Sequence, residues 1–402
     1  MSETGQAKPK SRLGSVALGL LFWLPLLSGV LSRVVKHSVW FRDYGAVGCG
    51  AEKWLQGRAL YDQAQTCTDI QALSYIYPPY LAQALAWPVR VLGQERLLWI
   101  YAGFYALAVL ALFWLVLFAR NGVMGAKRSW FAGLLSGSSI YWGNVAVVAH
   151  ALIGVSAFAL RKHPIALIVA IALASAVKPV FLIFVVVFGL MPWPLWRRLV
   201  YLIAAIALGA APTIYFVTTG GALAEEWRRV VVWAVYTDKL GDGFFGWLDL
   251  LRLAPATSAA NIAYVGYAGI MSLAALLVAE GLKLDLERRV LLGLSLGVLI
   301  IPRLMPYDFW LVGPGVLGAT AAGSTVSPGV ARWFDRGFLL AGVVALIGNL
   351  ADQADWMQRV AMILLALTFI AFAGWVAAKA LAAPRDLWVR IWSGSAAEPA
   401  KA

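Results

Sequence analysis

An all-α protein crossing a membrane many times is the fold class this sequence predicts, and three observations predict it. Of its 402 residues 61% are hydrophobic and 13% charged, against about 45–50% and about 25% in soluble domains. The apolar residues recur in blocks of roughly membrane-spanning length, and the cations fall mostly in the short segments between them. These features exclude an ordinary soluble enzyme, a disordered chain and a disulfide scaffold. The net charge of +13 would suggest nucleic acid in a soluble chain. Here its placement indicates topology and anionic lipid headgroups instead, so membrane lipids are expected partners and nucleic acid is not.

Taken in order, residues 1–13 form a tail whose Lys8, Lys10 and Arg12 precede an apolar run. That run continues to about Val30 without a small-residue cleavage site, so it is expected to be an uncleaved first span. Candidate spans cover about 14–32, 97–119, 129–142, 145–160, 164–177, 180–192, 199–217, 260–280, 290–305, 309–323, 337–350 and 356–378. The expectation is about twelve crossings, a core over 14–325, C-terminal transmembrane helices over 326–380 and a tail over 381–402. In that tail LWVRIW reads as an interfacial helix. Trp193, Trp196, Trp333, Trp388 and Trp392 read as belt residues of the inner interface.

Placing the first loop outside puts Arg120, Lys127 and Arg128, Arg161 and Lys162, Arg197 and Arg198, Lys283, Arg288 and Arg289, and Arg332 and Arg336 inside. Each short outer gap then carries at most one cation, which predicts both termini in the cytoplasm and a multi-pass protein of the inner, or plasma, membrane. Two long segments, about 33–96 and 218–259, remain outside. The first contains a short amphipathic helix, with Val47, Trp54 and Leu55 opposite Glu52, Lys53 and Gln56, ended by Gly57. The stretch YIYPPYLAQALAWPVRVLG, interrupted by Pro78, Pro79 and Pro88, is expected to be a re-entrant or surface-lying hairpin. In the second segment Trp227, Val230, Val231 and Ala234 oppose Glu225, Glu226, Arg228 and Arg229, the pattern of a helix lying on the membrane. Cys49 and Cys67 share the first outer loop and match no metal-ligand spacing; they pair if that side is oxidising and stay thiols otherwise.

The outer face holds thirteen of the twenty acids on this map, so acid–base chemistry is expected there. Asp43 directly follows the first span, among Trp40, Phe41 and Tyr44, where partial desolvation would make it a useful general base. Its structural alternative is a loop acid paired with Arg42 or Arg33. Lys178 interrupts an apolar run immediately before Pro179, where a cation is costly without a partner. It reads either as an anion site, most simply for phosphate, or as a lysine snorkelling to the interface. Arg303, between Pro302 and Pro306, reads either as a second phosphate contact or as the partner of Asp308. Asn144 stands in the turn after Gly143, where backbone geometry alone would favour it. His150 lies about two turns further on, either a satisfied core histidine or a site residue.

There is no Gly-rich phosphate loop, nucleophile elbow, HExxH or Asp-x-Asp pair. No cofactor and no metal are expected, and a reaction here would use an already activated donor.

Asp43 with Tyr44 after the first span, the stretch GRALYD ending at Asp62, YIYPPYLAQALAWP with Tyr77, the Gly143–Asn144 turn, and Lys178 with Pro179 together resemble the bacterial polyprenol-phosphate-mannose-dependent glycosyltransferases of family 87. The resemblance runs from about residue 12 to about 325. It implies the C-type membrane glycosyltransferase architecture, with outer juxtamembrane helices, and an active site on the outer face. It also implies a polyprenyl-phosphate sugar donor, a glycolipid or glycan acceptor, and the first-loop aspartate, here Asp43, as catalytic base. Lys178 and Arg303 are then the donor-phosphate contacts. Tyr44, Asp62, Tyr77, Asn144, His150 and Asp308 are the substrate-binding candidates. This chain has Gly143–Asn144 where the family commonly has Gly-Gln, and Ile301, Pro302 and Arg303 where it has Ser-Pro followed by His or Trp. A transporter or flippase of a lipid-linked anion is the alternative, although the halves show no inverted repeat. A purely structural subunit would leave Lys178 unexplained.

Overall fold

The computed structural model describes residues 12–61, 67, 74–159, 162–351 and 353–394. It is helical throughout, with no strand among the described residues. In chain order the helices are α1 (Arg12–Val35), α2 (Arg42–Leu55), α3 (Pro79–Phe118), α4 (Ser138–Tyr141), α5 (Val145–Ala159), α6 (Pro164–Val177) and α7 (Val186–Gly189). There follow α8 (Leu195–Thr219), α9 (Gly221–Trp233), α10 (Phe244–Leu250), α11 (Ser258–Gly281), α12 (Leu286–Leu299) and α13 (Val312–Val326), then α14 (Pro328–Leu350), α15 (Ala354–Ala380) and α16 (Pro384–Ser393). Six stretches are long and apolar enough to cross a bilayer: 14–35, 79–118, 195–219, 258–281, 309–326 and 354–380. Shorter apolar helices cover 145–159, 164–177 and 179–189.

The centre of the molecule is α12 against α13. Every residue of α12 from Arg289 to Leu299 is buried, and α13 is built from small residues, VGPGVLGATAAG, all buried but Ala321. Gly315 shows why: a Cβ there would sit 2.2 Å from the carbonyl oxygen of Leu291. Without a hydrophobic force between helices in lipid, close backbone packing of this kind holds them together. Outside this centre, the exposed faces of α1, α3, α8 and α11 carry Leu18, Leu107, Leu110, Ile203, Leu208, Ile262 and Val265. That apolar belt suits a lipid solvent.

Two expectations for the first half are corrected. Residues 129–142 do not form a regular span: they run as a 3₁₀ helix (Gly125–Leu134), an extended link and the single turn of α4. Gly133, Gly137 and the serines at 136, 138 and 139 are poor helix formers. The segment tolerates irregular backbone because it is buried in protein, with Ser129, Phe131, Ala132, Gly133 and Leu134 all inaccessible. Nor is the proline-rich stretch a hairpin. It is one helix from Pro79 to a sharp kink at Gly93 (φ +77°), beyond which a second helix runs to Phe118. Pro79 begins the first of these, where its missing N–H costs nothing.

The amphipathic helices α2 and α9 turn a face to protein. In α2, Lys53 is 4% exposed and Trp54 36%, the reverse of the sides assigned from sequence. Residues Tyr44–Ala51 are buried, and Gln94 of α3 donates to the Gly48 carbonyl at 2.7 Å, so contacts with the rest of the protein choose the face. Gly57 ends α2 as expected, in the left-handed region (φ +64°). Cys49 and Cys67 are joined as a disulfide, with Cα atoms 5.7 Å apart.

Charge is sorted along α12. At its N-terminal end Glu280 accepts from Arg198 at 2.7 Å and from both terminal nitrogens of Arg289 at 2.7 and 2.9 Å. All three side chains are 2% exposed or less. Breaking such a buried set strands charge. Glu280→Gln is therefore expected to destabilise the protein by about 3–5 kcal/mol, read as a lower unfolding midpoint in detergent. At the other end of α12 lies the loop Ile301–Asp308, and with it the candidate site.

Candidate active site

Two loops are stitched together to position Asp43. The Phe41 and Asp43 amides donate to the carbonyls of Tyr141 and Trp142, both at 2.9 Å. Phe41 takes a left-handed conformation (φ 60°), a strain of about 1–3 kcal/mol for a non-glycine residue. Its ring is held edge-on against Tyr101 and Tyr105. Gly143 (φ +65°) admits that ring, since a Cβ there would lie 2.2 Å from it. The hydroxyls of Tyr101 and Tyr105 donate to the Gly143 and Ile140 carbonyls at 2.8 and 2.9 Å. Asp43 thus enters the first turn of α2 beside Asn144, where the helix N-terminus favours a carboxylate.

Asn144 joins base and cation. Its Oδ1 accepts from the Ala146 amide at 2.9 Å, capping α5, and from Lys178 Nζ at 2.8 Å. Both partners can only donate, so the amide orientation is settled, and Nδ2 donates to Asp43 Oδ2 at 2.5 Å. The turn reading and the site reading of Asn144 are both true. Asp43 pairs with neither Arg33 nor Arg42, which lie over the rings of Tyr141 and Trp142. Burial raises the Asp43 carboxyl above the usual carboxylate range, against the opposing pull of the Asn144 bond and of Lys178, Lys239 and Arg303.

Lys178 ends α6 because Pro179 disfavours helical backbone in the residue before it. Rather than snorkelling outward, its ammonium points between the rings of Tyr77 and Tyr307, 5.6 and 5.0 Å from their centres. Arg303 does not pair with Asp308. It bonds the Lys239 carbonyl and approaches Asp238 at 3.8 Å. Asp308 instead meets His150 Nε2 at 2.9 Å and accepts from the Met305 amide at 2.9 Å. His150 is wholly buried, packed on Phe181 and Phe184, and lines neither cavity described below. Its part is to hold Asp308.

Two adjoining cavities meet at these residues. One, about 280 Å³, is mainly apolar; its walls include Phe181, Trp227, Val231, Lys178 and Arg303. The other, about 690 Å³, is much the more polar of the two and contains Asp43 and Asn144. Tyr77, Tyr307 and Arg303 belong to both. The apolar face of α9 roofs the first cavity, and Trp227 donates to the Ile76 carbonyl at 3.2 Å. Tyr44 is elsewhere, stacked on Tyr101 at 4.5 Å with its hydroxyl buried and unbonded. Asp62 lies outside the described residues.

The polar cavity also collects residues that sequence reasoning passed over: Asp242, Asn349, Asp355, Gln358 and Arg359. Four of these belong to the stretch after Ala331, which carries no motif. Only the packing of α14 and α15 beside the Asp43 loops reveals them; the one sequence signal, for Asp242 and Asp355 alone, was their place among the acids assigned to the outer face. Among the described residues no group of three His, Cys, Asp or Glu side chains is arranged to hold a metal ion. Comparison of the chain with family models, with characterised proteins and with solved structures found no match.

Proposed function

We propose that the protein is a membrane glycosyltransferase that moves a hexose, most simply mannose, from a polyprenyl-phosphate sugar to an acceptor hydroxyl on the outer face of the membrane. The observation that carries this reading is the junction of the two cavities. A desolvated carboxylate stands in the polar one, fixed cations stand in the apolar one, and Asn144 bonds both. The isoprenoid suits the apolar cavity, with its phosphate against Lys178 and Arg303. In the transfer step the acceptor oxygen attacks the anomeric carbon and gives its proton to Asp43. The bond from that carbon to the phosphate oxygen breaks, and its electron pair leaves on the phosphate as a second negative charge. Preorganised cations favour that charge as it develops. A single displacement inverts the anomeric configuration.

The resemblance to glycosyltransferase family 87 supports the same reading, and with it we propose a twelve-crossing topology with both termini cytoplasmic. In that topology the irregular segment 125–141, α5, α12, α14 and each half of the segment broken at Lys178, 164–177 and 179–189, cross once, beside the longer helices. Both charged ends then fall where the cations of the sequence require.

The test is incubation of the purified protein in liposomes with radiolabelled polyprenyl-phosphate hexose and a panel of glycan acceptors. Transfer of label to a glycan, with release of polyprenyl phosphate, is the expected result. Movement of intact donor between leaflets without transfer would select the flippase alternative. Activity should also fall on acidification, because the base must be ionised. With the Asp43 carboxyl raised by burial, the acid limb of kcat/KM is expected above the usual carboxylate range and is absent from the residual activity of an Asp43→Asn variant.

A further inference from the structure

The polar cavity has a character of its own. Five aspartates line it: Asp43, Asp238, Asp242, Asp249 and Asp355. Its three cations are Lys239, Arg303 and Arg359, and each arginine already faces a carboxylate on this side, Arg303 keeping one terminal nitrogen for the apolar cavity. Arg303 holds the Lys239 carbonyl and faces Asp238; Arg359 donates to the Gly241 carbonyl at 3.2 Å and to Asp249 at 2.6 Å. Trp142 and Trp233 add aromatic walls. Surplus carboxylates and aromatic faces suit a ligand with many hydroxyls and no negative charge.

Asp242 is the anchored member of this set. Its amide donates to the Leu304 carbonyl at 2.7 Å, and its own carbonyl accepts from Trp247 Nε1 at 2.8 Å. The preceding Gly241 (φ +67°) lies so close to the Leu304 carbonyl that a Cβ would sit 2.1 Å from its oxygen. The residue is 7% exposed, yet among the described residues its carboxylate has no hydrogen-bond or ion-pair partner. The carboxylate oxygens are not among the side-chain atoms sealed off without a partner, so they open on the cavity that Asp242 lines, where a ligand hydroxyl can meet them.

We propose that the polar cavity receives the end of an uncharged glycan as acceptor, and that Asp242 selects it by hydrogen bonding to a sugar hydroxyl. The inference rests on the transferase reading and deepens it. Burial pushes the Asp242 carboxyl up to about 8; Asp355 and Asp308 act in the same direction and Arg359 against it. At neutral pH the group can then both donate to and accept from a hydroxyl. A phosphorylated glycan would meet the neighbouring carboxylates.

The experiment uses the full chain in detergent with four probes: a neutral mannotriose, free and as its dodecyl glycoside, and the same pair carrying a 6-phosphate. Binding is read by tryptophan fluorescence and transfer from labelled donor. The free and alkylated probes distinguish a soluble glycan from a glycolipid headgroup. The neutral probes are expected to bind and accept at least tenfold better than the phosphorylated ones. Asp242→Ala should raise the acceptor KM by roughly tenfold, the scale of one lost buried hydrogen bond, with the donor KM unchanged. Asp242→Asn, which keeps the shape and a donor, should recover most of that loss and guard against misfolding of the alanine variant. Equal use of phosphorylated and neutral probes, or an acceptor KM within twofold of wild type in Asp242→Ala, overturns the proposal and leaves the transferase reading standing. Binding of the neutral probes that depends on Asp242, without any transfer, upholds the glycan site and overturns the transferase reading.

Discussion

Asp43→Asn is expected to leave a folded protein that still binds polyprenyl-phosphate sugar and to lower transfer by roughly 10²–10⁴-fold, the range that proton transfer by a placed base contributes. The asparagine is nearly the same shape and keeps an oxygen to accept from Asn144 Nδ2, so α2 and its junction with the Tyr141–Asn144 loop should survive. What it loses is the capacity to take a proton. Turnover by initial rate, beside donor binding measured in the same preparation, separates the two. Transfer within threefold of wild type would remove Asp43 from the role of base.

Lys178→Gln is the second large effect. The ammonium stands between Tyr77 and Tyr307 and bonds Asn144, and among the described residues no carboxylate lies within ion-pair distance of it. Its positive charge is therefore available to an incoming anion. Glutamine can still donate to Asn144 Oδ1 but carries no charge against the phosphate as it leaves. A loss of roughly 10²–10³-fold in kcat is expected, as for other fixed groups that stabilise developing charge. The Lys178→Arg variant should recover part of it. Because Asn144 bonds both side chains, the double variant with Asp43→Asn should lose less than the sum of the two effects, as coupled residues do. Simple additivity would mean that the bond through Asn144 transmits nothing.

Some of this arrangement is visible in one dimension. Asp43 after the first span, and Lys178 before a proline inside an apolar run, are anomalies because the bilayer makes them costly. Local chemistry also marks Asn144, whose capping of α5 and bridging of the site are the same geometry. The hairpin expected at 75–93 was misjudged because prolines at a helix start look like breaks when the partner surface is unknown. The faces of α2 were misjudged for a related reason: an amphipathic pattern says that a face is covered and does not say by what. Asp242, Asn349, Asp355, Gln358 and Arg359 were invisible as a group, since they are brought together across more than a hundred residues.

Composition and the recurrence of apolar blocks by themselves determined that this chain is a helical membrane protein, because the cost of burying charge and unpaired backbone in hydrocarbon is paid segment by segment. Which side chains share a cavity was decided by tertiary structure. The pairing of the Phe41 and Tyr141 loops, the break at Lys178, and the packing of α15 against the Asp242 loop are contacts between distant segments. They depend on shape and on hydrogen-bond partners that no local pattern of residues encodes.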